Sequence, residues 1–170
     1  MHVTVGEERS GSKARLRTTR AIALACAVAI AGCASPPPPP KPTAVKASLQ
    51  ASATVNPDIH KRPSPVVVRV YELKSSAAFD AADFLSLYER DQATLGAEMA
   101  GREEFTLRPG ETRPWEKVAG PETRFIGVIA GYRNIERARW KTLIPIKANA
   151  LNTVAIKIDE IAVSGTVVSQ

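Results

Sequence analysis

Thr153-Val154-Ala155-Ile156-Lys157-Ile158 places Val154, Ile156 and Ile158 on one face of an extended chain and Ala155, Lys157 and Asp159 on the other. Successive strand side chains point to opposite sides, so this period of two describes a half-buried β-strand. The texture extends outward from it. Short runs rich in Val and Ile recur at Val45 to Val55, Val66 to Leu73, Glu104 to Leu107, Thr112 to Val118, Arg124 to Gly131, Arg139 to Ile146 and Ile161 to Val168. Pro, Gly and Asn break them at intervals of about ten residues, the pattern of an all-β sandwich. Phe125 to Ala130 is apolar on both faces, as in the middle of a sheet, and Gly127 and Gly131 let neighbours approach closely. Pro145 lacks the amide hydrogen a central strand needs and so marks an edge or bulge.

One segment departs from the β texture. In Phe79-Asp80-Ala81-Ala82-Asp83-Phe84-Leu85-Ser86-Leu87-Tyr88, Asp80 suits a helix N-cap and Asp83 the first turn. Phe84, Leu87 and Tyr88 then share a face, and Phe79 and Phe84 fall where a hydrophobic staple forms. The reading is one short helix laid over the sandwich, its aromatics either core or a ligand-binding patch.

From Cys33 onward the chain has 18 basic and 15 acidic side chains, so the formal +6 of the whole falls to +3. That balance, without a run of basic residues, gives nucleic acid little to hold. The 124 residues from Ala47 to the end suit a single core. His60 is the one histidine after the leader, so a Cys/His metal cluster cannot be built and no cofactor motif is present. A Ser-His-Asp triad would have to use His60, and no Gly-x-Ser-x-Gly elbow presents a serine. Glu103-Glu104 and Asp159-Glu160 point to opposite faces in a strand and read as solvated charges. A carboxylate-only glycosidase site is the one catalytic reading left open.

The loop Asn56 to Pro65 carries Asp58, His60, Lys61 and Arg62 at its tip. Pro57, Pro63 and Pro65 restrict its backbone, which lowers the entropy lost on docking. It reads as a polar contact site or, alternatively, as a hairpin tip charged only for solubility.

At the amino terminus Arg15, Arg17 and Arg20 precede an apolar run from Ala21 to Ala31, the order of a secretory signal. The run is shorter than the roughly 20 residues a transmembrane helix requires. It ends Ile30-Ala31-Gly32-Cys33, which resembles the lipobox of bacterial lipoproteins; the alternative is an ordinary signal peptide with an incidental cysteine. Cys26 lies within the run and leaves with it, so the mature chain has one cysteine, at its first position. Pro36 to Pro40, followed by Pro42, favour polyproline II; from Ala34 to Lys46 such a spacer reaches about 40 Å at 3.1 Å per residue. It is either a stiff stalk or a plain tether. The expected organisation is a leader over 1–32, a modified cysteine and spacer over 33–46, and a sandwich domain over 47–170.

Val55-Asn56-Pro57-Asp58, Arg62-Pro63-Ser64-Pro65 running into Val66 to Leu73, then Phe79, Ala82-Asp83-Phe84, Leu87-Tyr88, Asp91 and Leu95-Gly96 resemble the TssJ (SciN/VasD) family of type VI secretion lipoproteins. Pro109-Gly110-Glu111, Phe125 to Val128, Tyr132-Arg133 and Ala138-Arg139-Trp140 fit the family in the same order. Lys61 departs from it, standing where a glycine is expected before Arg-Pro-Ser-Pro.

The resemblance implies a transthyretin-like two-sheet sandwich with an added helix, triacylated at Cys33. Ala34, in place of an inner-membrane-retaining aspartate, favours the outer membrane, with the domain facing the periplasm. It also implies a non-enzymatic anchor for a membrane complex. The partner would be the periplasmic carboxyl-terminal region of TssM, itself associated with TssL. The contact would use the first interstrand loop, here Asn56, Pro57, Asp58, His60, Lys61, Arg62 and Pro63. A different class stays open: a lipid-anchored module binding a glycan or small molecule, with Trp115 and Trp140 as stacking platforms.

Overall fold

The computed structural model describes His2 and residues 40–168. The apolar run, Cys33 and the first prolines of the spacer lie outside the described residues. Eight strands are present among them: β1 (Thr43–Ala51), β2 (Val66–Leu73), β3 (Met99–Leu107), β4 (Thr112–Ala119), β5 (Phe125–Gly131), β6 (Lys141–Pro145), β7 (Leu151–Ile158) and β8 (Val163–Val167). Between β2 and β3 the chain forms α1 (Ala77–Ala81), α2 (Phe84–Glu89), α3 (Asp91–Leu95) and a 3-10 turn at Gly96–Glu98. The strands make two four-stranded sheets, in the orders β4-β1-β7-β8 and β3-β2-β5-β6. β1 runs antiparallel to β4 and parallel to β7. The expected all-β sandwich with added helical structure is the fold.

The alternation in β7 decides which face goes inward. Val154, Ile156 and Ile158 pack between the sheets with Val45 and Leu49 of β1, Val66, Val68 and Val70 of β2, and Ile126 and Val128 of β5. Each such side chain contributes about 1.5–3 kcal/mol by leaving water. The opposite face of β2 and β5 is covered as well. Tyr71, Leu73 and Ile129 form a second cluster with Phe79 of α1, Leu87 of α2 and Leu95 of α3. This double covering is why Phe125 to Ala130 is apolar on both sides. Gly127 permits the close approach, since a Cβ there would sit 2.9 Å from Leu73 Cδ1 and from Phe79 Cε2.

Several boundaries differ from the sequence reading. β1 begins at Thr43, so the fold takes in four residues assigned to the spacer. Thr43 and Ala44 carry no apolar signal, and their place is fixed by pairing with Ala119 and Val118. β3 begins at Met99, ahead of the expected Glu104, and its charged side chains Arg102, Glu103 and Glu104 pair with residues outside the strand, Asp91, Lys117 and Arg69. β6 is shorter than expected, and Pro145 closes it on a sheet edge.

The single helix expected from Asp80 is two helices. Ala82 is extended and Asp83, rather than Asp80, is the N-cap of α2. Its carboxylate accepts from the Ser86 amide and hydroxyl, both at 2.9 Å. Asp80 instead lies inside α1. The carbonyls at the end of α1 are satisfied by Lys141 Nζ, which donates to Phe79, Asp80 and Ala82 oxygens at 3.0, 2.7 and 2.9 Å. Arg69 ties the helices to the sheet, donating to the Tyr88 carbonyl and pairing with Glu104.

Candidate partner-binding site

The chain leaves β1 at Ala51 and reaches β2 at Val66, so the intervening loop lies at the end of the sandwich opposite Thr43. Nine residues of β1 separate the two ends by about 27 Å at 3.4 Å per residue. Val55 is fully buried and anchors the loop in the core. Asn56 follows with a positive φ of 50°, a conformation asparagine tolerates. Its side chain is 4% exposed. Asn56 Nδ2 donates to the Pro65 carbonyl at 2.7 Å, and Oδ1 accepts the Arg133 amide at 2.8 Å. Asn56 therefore joins both stems of its own loop to the loop between β5 and β6. It is a scaffold residue, not an exposed contact.

Asp58 organises the tip. Its Oδ1 accepts the amides of His60 and Arg62 at 2.8 and 3.0 Å, and its Oδ2 accepts Arg62 Nε at 2.7 Å. The Asp58 amide donates to the Arg62 carbonyl at 2.9 Å, closing the turn. The Arg62 amide, then its side chain, hold the Asp58 carboxyl below its ordinary value, with a smaller effect from Arg133. Lys61 has φ of 61°, the left-handed region where glycine is most at ease. The position where the family leads one to expect glycine is thus a strained one here, held by the Lys61 amide donating to the Asp58 carbonyl at 2.9 Å. His60, Lys61, Arg62 and Pro63 are exposed, and Pro57 is half-buried.

Two features were not identified among the candidate contacts. Ile59, at the apex, is 93% exposed. A cleft of about 560 Å³ separates the tip from the β5–β6 loop, lined by Pro57, Asp58, Ile59, Arg133, Ile135 and Glu136 among others. Arg133 is 77 residues from Asn56, a separation local pattern does not bridge.

The proposed stacking platforms differ in their availability. Trp115 is 6% exposed and donates its indole N–H to Glu103 at 3.0 Å, so it has no free face. Trp140 is half-buried and packs edge-on against Phe84 at 5.3 Å. Of the segment's aromatics, Phe79 belongs to the core, whereas Phe84 and Tyr88 are half-buried and stack on one another at 5.1 Å. Glu103 and Glu104 point to opposite faces but are not merely solvated. The first pairs with Lys117 at 2.8 Å and the second with Arg69 at 2.5 Å.

The architecture defines a class: a transthyretin-like β-sandwich, helix-covered on one sheet, that presents a rigidified loop at one end and receives its chain at the other. The family description "Type VI secretion lipoprotein, VasD, EvfM, TssJ" matches residues 43–161. The structure is similar to the type VI lipoprotein TssJ1 of Pseudomonas aeruginosa, with TM-score 0.74 and 32% identity over 76% of this chain and 98% of that one. It is also similar to Serratia marcescens Lip, a membrane-bound component of the type VI secretion system, with TM-score 0.68 and 26% identity over the same shares. A chain in a structure described as the TssM C-terminal domain from EAEC shares the fold, with TM-score 0.61 and 20% identity over 73% of this chain and 99% of that one. No curated protein matches significantly. The chain belongs to the type VI secretion lipoprotein family, whose members are structural components of the secretion system rather than enzymes.

Proposed function

We propose that this lipoprotein is acylated at Cys33, sits in the outer membrane with its domain in the periplasm, and anchors the type VI membrane complex by binding the periplasmic carboxyl-terminal region of TssM, which in turn associates with TssL. The observation that carries the reading is the braced loop Asn56 to Pro65. Asp58 and Asn56 fix its backbone from within, so His60, Lys61, Arg62 and Pro63 face outward, with half-buried Pro57 beside them, at little further cost in entropy. The lipidated end precedes Thr43 by ten residues, whereas the loop lies beyond Ala51. A tether at one end and a contact at the other suits a link between a membrane and a periplasmic partner. Three acyl chains, at about 0.8 kcal/mol per buried CH2, make such an anchor effectively permanent.

The test is the Cys33→Ser variant in cells. It is expected to release a soluble, folded periplasmic protein and to abolish secretion. A Cys33→Ser protein that still fractionates with the outer membrane and supports secretion contradicts the anchoring role.

A further inference from the structure

The helices cover the outer face of β2 and β5, whereas the outer face of the other sheet is open to solvent. The register of its strands lays that face out in rows. At the end where the chain enters, Ala44 of β1 pairs with Val118 of β4 on one side and with Leu151 of β7 on the other. Val118 is 69% exposed and Leu151 is 52% exposed. The next row holds the ion pair Lys46–Glu116 at 3.5 Å and Thr153. Val168, just past β8, completes it; its amide donates to the Thr153 carbonyl at 2.8 Å and its side chain is 47% exposed. Farther along, the rows are polar or small, with Ser48 beside Ala155 and then Gln50 beside Lys157. Large apolar side chains are confined to one end of the face. Single exposed aliphatics need no explanation, but three grouped on an otherwise polar face mark a contact.

The surroundings point to what that contact meets. The segments bordering the row, 40–42, 120–124 and 146–150, carry Lys41, Arg124 and Lys147 against Glu122 alone, and Glu122 pairs with Lys74 at 2.7 Å. Aliphatic side chains bordered by cations match a phospholipid surface, where the apolar groups enter the headgroup boundary and the cations meet phosphates. A second copy docked through the same row would bring these cations together instead. The tether runs to the same end. With β1 beginning at Thr43, the spacer is Ala34 to Pro42, which reaches about 28 Å at 3.1 Å per residue in polyproline II. The row therefore stays within reach of the bilayer, at an effective concentration that lets even a weak contact form.

Resting on the acylation at Cys33 proposed above, we infer that Val118, Leu151 and Val168 seat this end of the domain on the phospholipid surface. The acyl chains hold the protein to the membrane, and the row sets its orientation. The far end of β1, about 27 Å away at 3.4 Å per residue, then carries the loop Asn56 to Pro65 away from the lipid.

The test uses the mature acylated lipoprotein reconstituted into vesicles of phosphatidylethanolamine and phosphatidylglycerol. The single cysteine of the mature chain is the acylated one, so Leu151→Cys takes a nitroxide label at that position alone. In the vesicles this label is expected to lose collisions with a water-soluble nickel chelate severalfold, and to gain collisions with oxygen, relative to a label placed by Ile59→Cys. A label placed by Val168→Cys should be shielded in the same way, and should become open to nickel when Val118→Glu and Leu151→Glu are added. The substituted side chains are exposed, and unchanged melting temperatures verify that the fold is kept. Vesicle flotation separates this inference from the reading it rests on. If the protein floats with the vesicles while the label at position 151 is as open to nickel as the one at position 59, acylation stands and the seating is overturned. A protein that does not float removes both. Shielding at position 168 that survives the two glutamates contradicts the role of the row. Shielding accompanied by spin–spin broadening that grows with the protein-to-lipid ratio would assign the row to a second copy and also overturn the inference.

Discussion

Asn56 and Arg133 are joined by a side-chain-to-backbone hydrogen bond of 2.8 Å across 77 residues of sequence. The same amide group holds the Pro65 carbonyl at 2.7 Å, so one buried side chain fixes the relation between two loops. Removing it with Asn56→Ala leaves the Arg133 amide and the Pro65 carbonyl unsatisfied and is expected to cost about 1–3 kcal/mol. Asn56→Gly tolerates the positive φ yet loses the same bonds. Denaturant unfolding of the two variants separates the contributions. If the clamp matters, both are destabilised, with Gly the milder. Two variants with wild-type midpoints would show that the loops are held by other means.

The tip should loosen only in strong acid. The folded Asp58 carboxyl is depressed by the Arg62 amide and side chain, whereas in the unfolded chain it titrates near its ordinary 3.8. Its contribution to tip order is therefore complete above about pH 4 and is lost as pH falls through the lower folded value. Amide resonances of His60 and Arg62, followed by NMR against pH, should move together at that lower value. They should not titrate in Asp58→Asn. A transition at or above the ordinary carboxyl value would contradict the bracing role.

Gly127 is where the helical layer meets the sheet. A methyl group there would meet Leu73 and the buried Phe79 ring at 2.9 Å. Gly127→Ala is expected to destabilise by about 1–3 kcal/mol, the usual range for overpacking. Hydrogen exchange should rise first in α1, because Phe79 is its buried residue. Exchange unchanged in α1, or raised uniformly, would mean that the layer is not seated through this contact.

The position of the first strand gives a further expectation. A fragment beginning at Ala47 discards buried Val45 and Thr43, whose Oγ1 accepts the Asn149 amide at 2.9 Å. A fragment beginning at Pro40 retains both. The longer fragment should be the more stable by at least about 2 kcal/mol, read from denaturation midpoints. Equal midpoints would restore the boundary at residue 47.

Much of this fold is written in local pattern. Val66 to Leu73 is read to the residue, and the alternation at Val154, Ile156 and Ile158 gives the inward face directly. The apolar doubling of Phe125 to Ala130 signals cover on both sides, without saying that the outer cover is helical. What local pattern misses is decided by distant partners. Asp80 and Asp83 are equally good caps by type, but Asp80 lies inside α1, and Asp83, after the extended Ala82, caps α2 through the Ser86 amide and hydroxyl. Met99 to Arg102 has no alternating apolar signal, and its one charged side chain, Arg102, is held by Asp91 of α3, outside the strand. At the site, proline and charge mark the loop Asn56 to Pro65, and the resemblance gives it a partner. Burial of Asn56, exposure of Ile59 and the facing wall at Arg133 depend on how two loops distant in sequence meet.

The central claim is that the loop tip binds TssM, and calorimetry tests it most directly. The lipoprotein domain is titrated with the periplasmic carboxyl-terminal region of TssM, with and without Ile59 to Arg62. The shortened loop keeps Val55 and the Asn56 clamp, so its melting temperature should stay close to that of the wild type. Its affinity should fall well beyond the change made by single reversals at Lys61, since exposed charges are each worth under about 1 kcal/mol. Unchanged affinity in a variant that melts like the wild type would contradict the account and move the contact elsewhere, most plainly to the helical segment from Ala81 to Tyr88.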